Sequence, residues 1–323
     1  MASFLTDIVS LPYLEKPTQE EFLNIRSNPA VFKNAIENQD ALNLTFDKIK
    51  NEISDVDIKL RRSLCNKSER IMTTLHTYID YILDHKPLIN CYTENPMTGE
   101  TSFHNYTIED KLYCLEMDAN YDPELAKFFS CPSFMGDWYD KYLPLMKRSV
   151  LEGKRHTWFF IGPEDTLSEL HTDHDSIHTT IQQCDGKKRF FIIKPEEQIW
   201  LEGRHSEEVI ESVRFEILKD KLSVSSILNN KESEAILKDL QTIQIHVNDL
   251  VRGDVIYIPS MTGHCAVSLT NSIGVSRDFI DDTNIDKYLF SCLFSSQVFE
   301  VAHNIIPYPL LQNLQNEYES IKV

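Results

Sequence analysis

Leu170-His171-Thr172-Asp173, and farther on Gly253-Asp-Val-Ile-Tyr-Ile-Pro259 with His264 five residues after the proline, are the stretches whose reading decides this fold. In an extended strand, residues two apart project from the same side. His171 and Asp173 would therefore present an imidazole and a carboxylate together. The second stretch reads as a turn and a buried strand, and it delivers another imidazole ninety-one residues after Asp173. Two histidines and one carboxylate on one face of a metal, with the opposite face open, form the donor set of non-haem Fe(II) oxygenases. An isolated His-x-Asp is common and carries little. Its conjunction with the turn, strand and histidine, in that order inside a β-rich segment, carries far more. His174 would point to the other side of the strand, and parity also disfavours His178, so both are read as structural or supporting residues.

The surroundings are short β-rich runs: Leu112–Leu115, Thr157–Ile161, Ile177–Gln182, Arg189–Ile193, Thr242–Val247, Val255–Ile258 and Ile273–Ile280. Many short strands separated by turn residues point to a sandwich or barrel rather than a parallel α/β sheet. The segment near 205–240 reads as a helical insertion, capped by Ser206, with Val209, Ile210, Val213, Ile217 and Leu218 on one face. The first third reads as mainly helical. Thr18-Gln-Glu-Glu21 is a capping box, Leu75, Tyr78, Ile79, Ile82 and Leu83 share a helical face, and Asp55–Leu60 alternates like a half-buried strand. From Pro309, Leu310, Leu311, Leu314 and Tyr318 form an amphipathic tail that could cover the barrel or pair with a second copy, giving a homodimer. The resulting division is a flanking region over 1–105, a core over 106–285 with its insertion near 200–245, and a C-terminal helical segment over 286–323.

Composition bounds the function. The net charge is −18, which repels phosphate backbones and makes nucleic acid an unlikely partner. Seven scattered cysteines without a CxxC pair favour neither a disulfide framework nor a structural zinc site. No apolar run is long enough for a membrane span, and Asp7 interrupts any signal-peptide core. The expectation is a soluble cytoplasmic protein.

Ile161 to Pro195, containing His171-Thr-Asp173 and Asp185-Gly-Lys-Lys-Arg-Phe-Phe-Ile-Ile-Lys-Pro195, resembles the first half of a JmjC-domain hydroxylase core, and Gly253 to Phe279 resembles the second half. More weakly, Glu20-Glu21-Phe22, Asn28-Pro29-Ala30-Val31 and Leu112–Leu115 are similar to the entry region of hydroxylase-type members. The resemblance implies a mainly β protein with flanking helices, built on a double-stranded β-helix of the jelly-roll, or cupin, kind. It also implies Fe(II), 2-oxoglutarate as co-substrate and O2. By position, Lys188 matches the lysine that meets the distal carboxylate of the co-substrate, Ser168 a hydroxyl-bearing neighbour, and Tyr113 a strand tyrosine that helps. A buried dicarboxylate needs a cation, which supports Lys188 independently; otherwise Lys187, Lys188 and Arg189 would be a solvated basic turn.

Two departures stand out. Met261-Thr262-Gly263 replaces bulky aromatics before the second histidine, and Asp278 occupies a position where relatives often place Asn near the other carboxylate. The implied activity is hydroxylation of an amino-acid side chain in a peptide or protein, or of a small amino-acid-like metabolite. Asp278, Asp281, Asp282, Glu196 and Glu197 would lean the mouth towards a cationic group. The rival readings are a catalytically silent binding scaffold and a metal-dependent cupin enzyme that does not use 2-oxoglutarate.

Overall fold

The computed structural model describes residues 8–291 except 64–68, 96–97, 119–124, 126, 130, 137–156, 174–175, 207–208, 211–212, 219–220, 227–230 and 289–290. The chain opens with β1 (Ile8–Val9), β2 (Tyr13–Glu15), α1 (Gln19–Ile25), β3 (Ala30–Lys33), α2 (Gln39–Leu42) and α3 (Phe46–Glu52). An antiparallel run follows: β4 (Asp57–Arg62), β5 (Arg70–Thr74), β6 (Leu88–Glu94) and β7 (Thr101–Tyr106), with α4 (Leu75–Leu83) between β5 and β6. After β8 (Leu112–Asp118) come the barrel strands β9 (Thr157–Gly162), β10 (Leu167–His171), β11 (His178–Asp185) and β12 (Lys187–Ile193). An insertion of α5 (Pro195–Glu202), the hairpin β13 (Val213–Leu218) and β14 (Lys221–Ser226), and α6 (Lys231–Leu240) then leads to β15 (Ile245–Val251), β16 (Val255–Ile258), β17 (Gly263–Ser268) and β18 (Ser272–Phe279).

The barrel is a jelly roll. Strands β15-β12-β17-β10 form one wall, with β1 added at its edge, and β16-β11-β18-β9 form the other, inside an eleven-stranded sheet. Alternation along each strand gives every wall two buried faces. Ile181, Phe190, Ile192, Leu250, Ile256, Ile258 and Ala266 pack between the walls with Leu11 and Val31. Outside, Phe22, Tyr78, Phe159, Tyr257 and Phe279 belong to the core shared with the N-terminal elements, and Leu201, Val209, Ile210 and Ile236 cover the other wall against Phe191 and Cys265. At roughly 1.5–3 kcal/mol for each fully buried aliphatic or Phe side chain, these cores fix the register.

Register sorts the interior into layers. The outermost contains His171, His264, Ile192 and His246 on one wall and Ile258, Thr179 and Asp278 on the other. The deepest contains Ser268, Lys188 and Leu250, facing Gly274, where a Cβ would lie 3.6 Å from Lys188 Nζ. Gly253, at φ +96°, makes the turn into β16 in a conformation that L side chains rarely adopt.

The helical expectation for the first third holds for α1, where Thr18 and Glu21 form the reciprocal capping box, and for α4, where Leu75, Tyr78, Ile79 and Ile82 are buried while Leu83 is exposed. It misses β5, β6 and β7. β7 is exposed at five of its six positions, so no apolar alternation marks it. In the insertion, the described residues are helical in α5, at Val209 and Ile210, and in α6. Val213–Leu218 is a strand paired with β14, because Val213, Phe215 and Ile217 also alternate with period two and the hairpin realises that pattern. The C-terminal tail from Pro309, and with it the dimer contact, lies outside the described residues. Among the described residues, no helix is long and apolar enough to cross a membrane.

Candidate metal centre

His171 ends β10 and His264 lies at the start of β17, where the two are register partners with ring centroids 4.3 Å apart. Asp173 lies beyond the end of β10, so strand parity is not what aligns it with His171. The Thr179 hydroxyl on the neighbouring β11 donates to its Oδ2 and holds the carboxylate in place. His171 Nδ1 lies 2.7 Å from the Glu169 carbonyl and His264 Nδ1 lies 3.1 Å from the Thr262 carbonyl. A carbonyl can only accept, so each Nδ1 carries the proton and each Nε2 presents its lone pair. Each Nε2 is 3.8 Å from Asp173 Oδ1. One donor atom from each of these residues lies within 4.8 Å of the others. Tautomers fixed by backbone carbonyls and a carboxylate held by a hydroxyl are the supports expected around metal ligands, and the donor set suits Fe(II). The His264 side chain is 6% exposed and that of His171 36%, so the centre opens on the His171 side.

Thr179 is a residue that the sequence reading missed, since only the return of β11 beside Asp173 reveals it. Thr179→Val is expected to weaken metal binding by about 10–100-fold, the usual loss for a supporting partner. Calorimetric titration with Fe(II) under anaerobic conditions checks this, with circular dichroism confirming the fold.

Lys188 is buried in the deepest layer, with Nζ 2.7 Å from the Tyr113 hydroxyl and over the rings of Tyr113 and Phe160 at 5.2 and 5.4 Å. It is therefore no solvated turn. Among the described residues no carboxylate lies within ion-pair distance of it, and burial pushes its pKa down to about 7. Burial likewise holds the Tyr113 phenol well above its usual value. Tyr113 reaches this place because Gly162 has no side chain: a Cβ there would come within 2.6 Å of the Tyr113 ring. Ser168 lies between metal donors and lysine, but its hydroxyl accepts the Ala266 N–H at 2.9 Å and stitches β10 to β17. Asp278 is buried beside Thr179 in the outermost layer.

The lysine has a consequence for stability. Below pH 7 Lys188 is protonated in both folded and unfolded chains, and the penalty for burying its charge is present in full. Between pH 7 and about 10.5, the ordinary lysine value, the folded protein has lost a proton that the unfolded chain retains, so stability from this group rises with pH. Denaturant midpoints of native protein should thus gain on those of Lys188→Met as pH increases across that window. Parallel curves would show that Lys188 is not desolvated.

Elsewhere, His178 is structural: its Nδ1 accepts the Ser260 N–H at 2.8 Å, and its Nε2 donates to the Thr283 hydroxyl at 3.0 Å. His174 lies outside the described residues. Of the acidic residues expected at the mouth, Asp281 and Asp282 pair with Arg26. Burial opposes the charge on Asp281, but hydrogen bonds from His178 and Thr283 outweigh it and hold the pKa at about 2. Glu197 Oε1 accepts the Gln244 N–H at 2.9 Å.

A family model described as a cupin-like domain matches residues 16–284. None of the curated proteins compared matches the chain.

Proposed function

This chain belongs to the cupin-like domain family, and we propose that it is an Fe(II)- and 2-oxoglutarate-dependent oxygenase that hydroxylates an amino-acid side chain in a peptide or protein, or an amino-acid-like metabolite. The observation that carries the reading is Lys188. An ammonium buried without a counter-charge is costly, and it is placed on the same barrel interior as a three-donor metal cluster. An anionic ligand that also touches the metal would remove that cost. A dicarboxylate with an oxo group is such a ligand.

In this reading His171, Asp173 and His264 hold Fe(II), and Thr179 keeps the Asp173 carboxylate turned towards it. When bound together with 2-oxoglutarate and O2, the iron supplies the oxidation that splits the oxo acid into succinate and CO2 and places one oxygen atom in a substrate C–H bond. Lys188 draws the distal carboxylate inward, and the Tyr113 hydroxyl fixes the position of Nζ. The rings of Phe160 and Tyr113 beside Nζ limit water around the lysine, which strengthens its charge on the ligand. The open side at His171 admits the substrate. Calorimetric titration of metal-loaded protein with 2-oxoglutarate tests the co-substrate: saturable binding is expected, and its absence would favour the silent scaffold or a cupin enzyme of another kind.

A further inference from the structure

The wall that carries β10 holds, at its opposite side, a polar pair that the metal centre does not use. His246 and Asn248 lie two apart on β15, on the face turned inward with Leu250. His246 is in the layer of the metal donors, separated from His264 by Ile192, and Asn248 is one layer deeper beside Phe190. His246 is 5% exposed and Asn248 2%. Neither ring nitrogen of His246 has a hydrogen-bond partner among the described residues, and neither does Asn248 Nδ2. Asn248 Oδ1 is taken by the Leu11 N–H at 2.7 Å. The Ser10 main chain lies near the imidazole without closing a hydrogen bond.

Buried polar groups are ordinarily paired, and one left without a partner calls for an explanation. Burial lowers the His246 pKa, with Lys194 acting in the same direction, against weaker opposition from Ser10 and Glu196. The imidazole is thus neutral near pH 7, with one donor and one acceptor. Asn248 adds N–H donors, and the neighbours are the apolar Ile192 and Phe190. Lys194 and Glu196, of opposite sign, both act on the imidazole, so the site favours neither an anion nor a cation, whereas a neutral amide matches the set: its carbonyl accepts from Asn248 and its N–H donates to His246.

We propose that His246 and Asn248 form a subsite for an amide group, either a side-chain carboxamide or a peptide bond, held beside the metal donors. The proposal rests on the oxygenase reading only in calling the owner of that amide the substrate.

The test follows the His246 imidazole nitrogens and the Asn248 side-chain amide, the latter also in the His246 variants, by NMR in full-length, metal-free protein labelled uniformly with 15N. Propionamide is titrated as the probe and propionate as its charged isostere. Propionamide should shift the His246 signals saturably, and propionate should bind at least tenfold more weakly. His246→Leu should abolish propionamide binding and melt at a higher temperature than native protein, because it removes a buried unpartnered group. His246→Asn, which keeps a donor and an acceptor, should retain binding within tenfold and serves if the leucine variant does not fold. The subsite is overturned by an absent shift, by equal binding of the two probes, or by undiminished propionamide binding in His246→Leu. Since neither metal nor 2-oxoglutarate enters the titration, failure of the subsite is distinguishable from failure of the oxygenase reading.

Discussion

His171→Ala, Asp173→Ala and His264→Ala are each expected to lower Fe(II) affinity by more than 100-fold. The basis is that supporting partners of metal ligands are already worth 10–100-fold, and these residues are the proposed ligands themselves. The fold should survive, because none of the three belongs to the hydrophobic clusters that fix the barrel register. Anaerobic calorimetry with Fe(II) measures the affinity, and circular dichroism confirms the folded state. His178→Ala is the informative control. It breaks the links to Ser260 and Thr283 and takes away a partner of the buried Asp281. Stability should therefore fall, by roughly 1–3 kcal/mol for a group left unsatisfied, while the metal stays bound. A His178 variant without metal beside a His264 variant that keeps it would show the donor set to be misassigned.

Lys188→Ala is expected to weaken 2-oxoglutarate binding to metal-loaded protein by about 1.5–3 kcal/mol, the range for hydrogen bonds to charged groups, or roughly 10–150-fold. Its effect on Fe(II) affinity should be small, because the lysine lies in the deepest layer and the donors in the outermost. Lys188→Met should show the same loss of binding. In the metal-free protein it should also stabilise the fold at neutral pH, since an apolar side chain replaces a buried charge without a counter-ion. Unchanged 2-oxoglutarate affinity in both variants would remove Lys188 from the site. Loss of metal and co-substrate together would mean that the substitution disturbs the barrel.

What the sequence discloses depends on how local the cause is. The α1 capping box needs only Thr18 and Glu21 and is legible at once. The barrel strands are legible because they alternate or are continuously apolar, as in Val255–Ile258. His171, Asp173 and His264 stand out by spacing, but Asp173 lies beyond the end of β10, where the Thr179 hydroxyl holds its carboxylate. β7 left no pattern because five of its six side chains are exposed. Val213–Leu218 fits a helical and a strand period alike, and only pairing with β14 decides. The pairing of Lys188 with Tyr113 joins strands that are far apart in sequence, so register rather than local pattern brings them together. The acidic residues expected at the mouth look alike in the sequence, but Asp281 and Asp282 are tied to Arg26 by a fold that places α1 against the end of β18.

The most direct test of the account is succinate formation from 2-oxoglutarate by purified full-length protein with added Fe(II) and O2, without an added substrate. The account predicts slow succinate release that requires all three additions, disappears in Asp173→Ala and, in Lys188→Ala, needs roughly 10–150-fold more 2-oxoglutarate. No succinate from native protein, or equal amounts from native protein and Asp173→Ala, would contradict it.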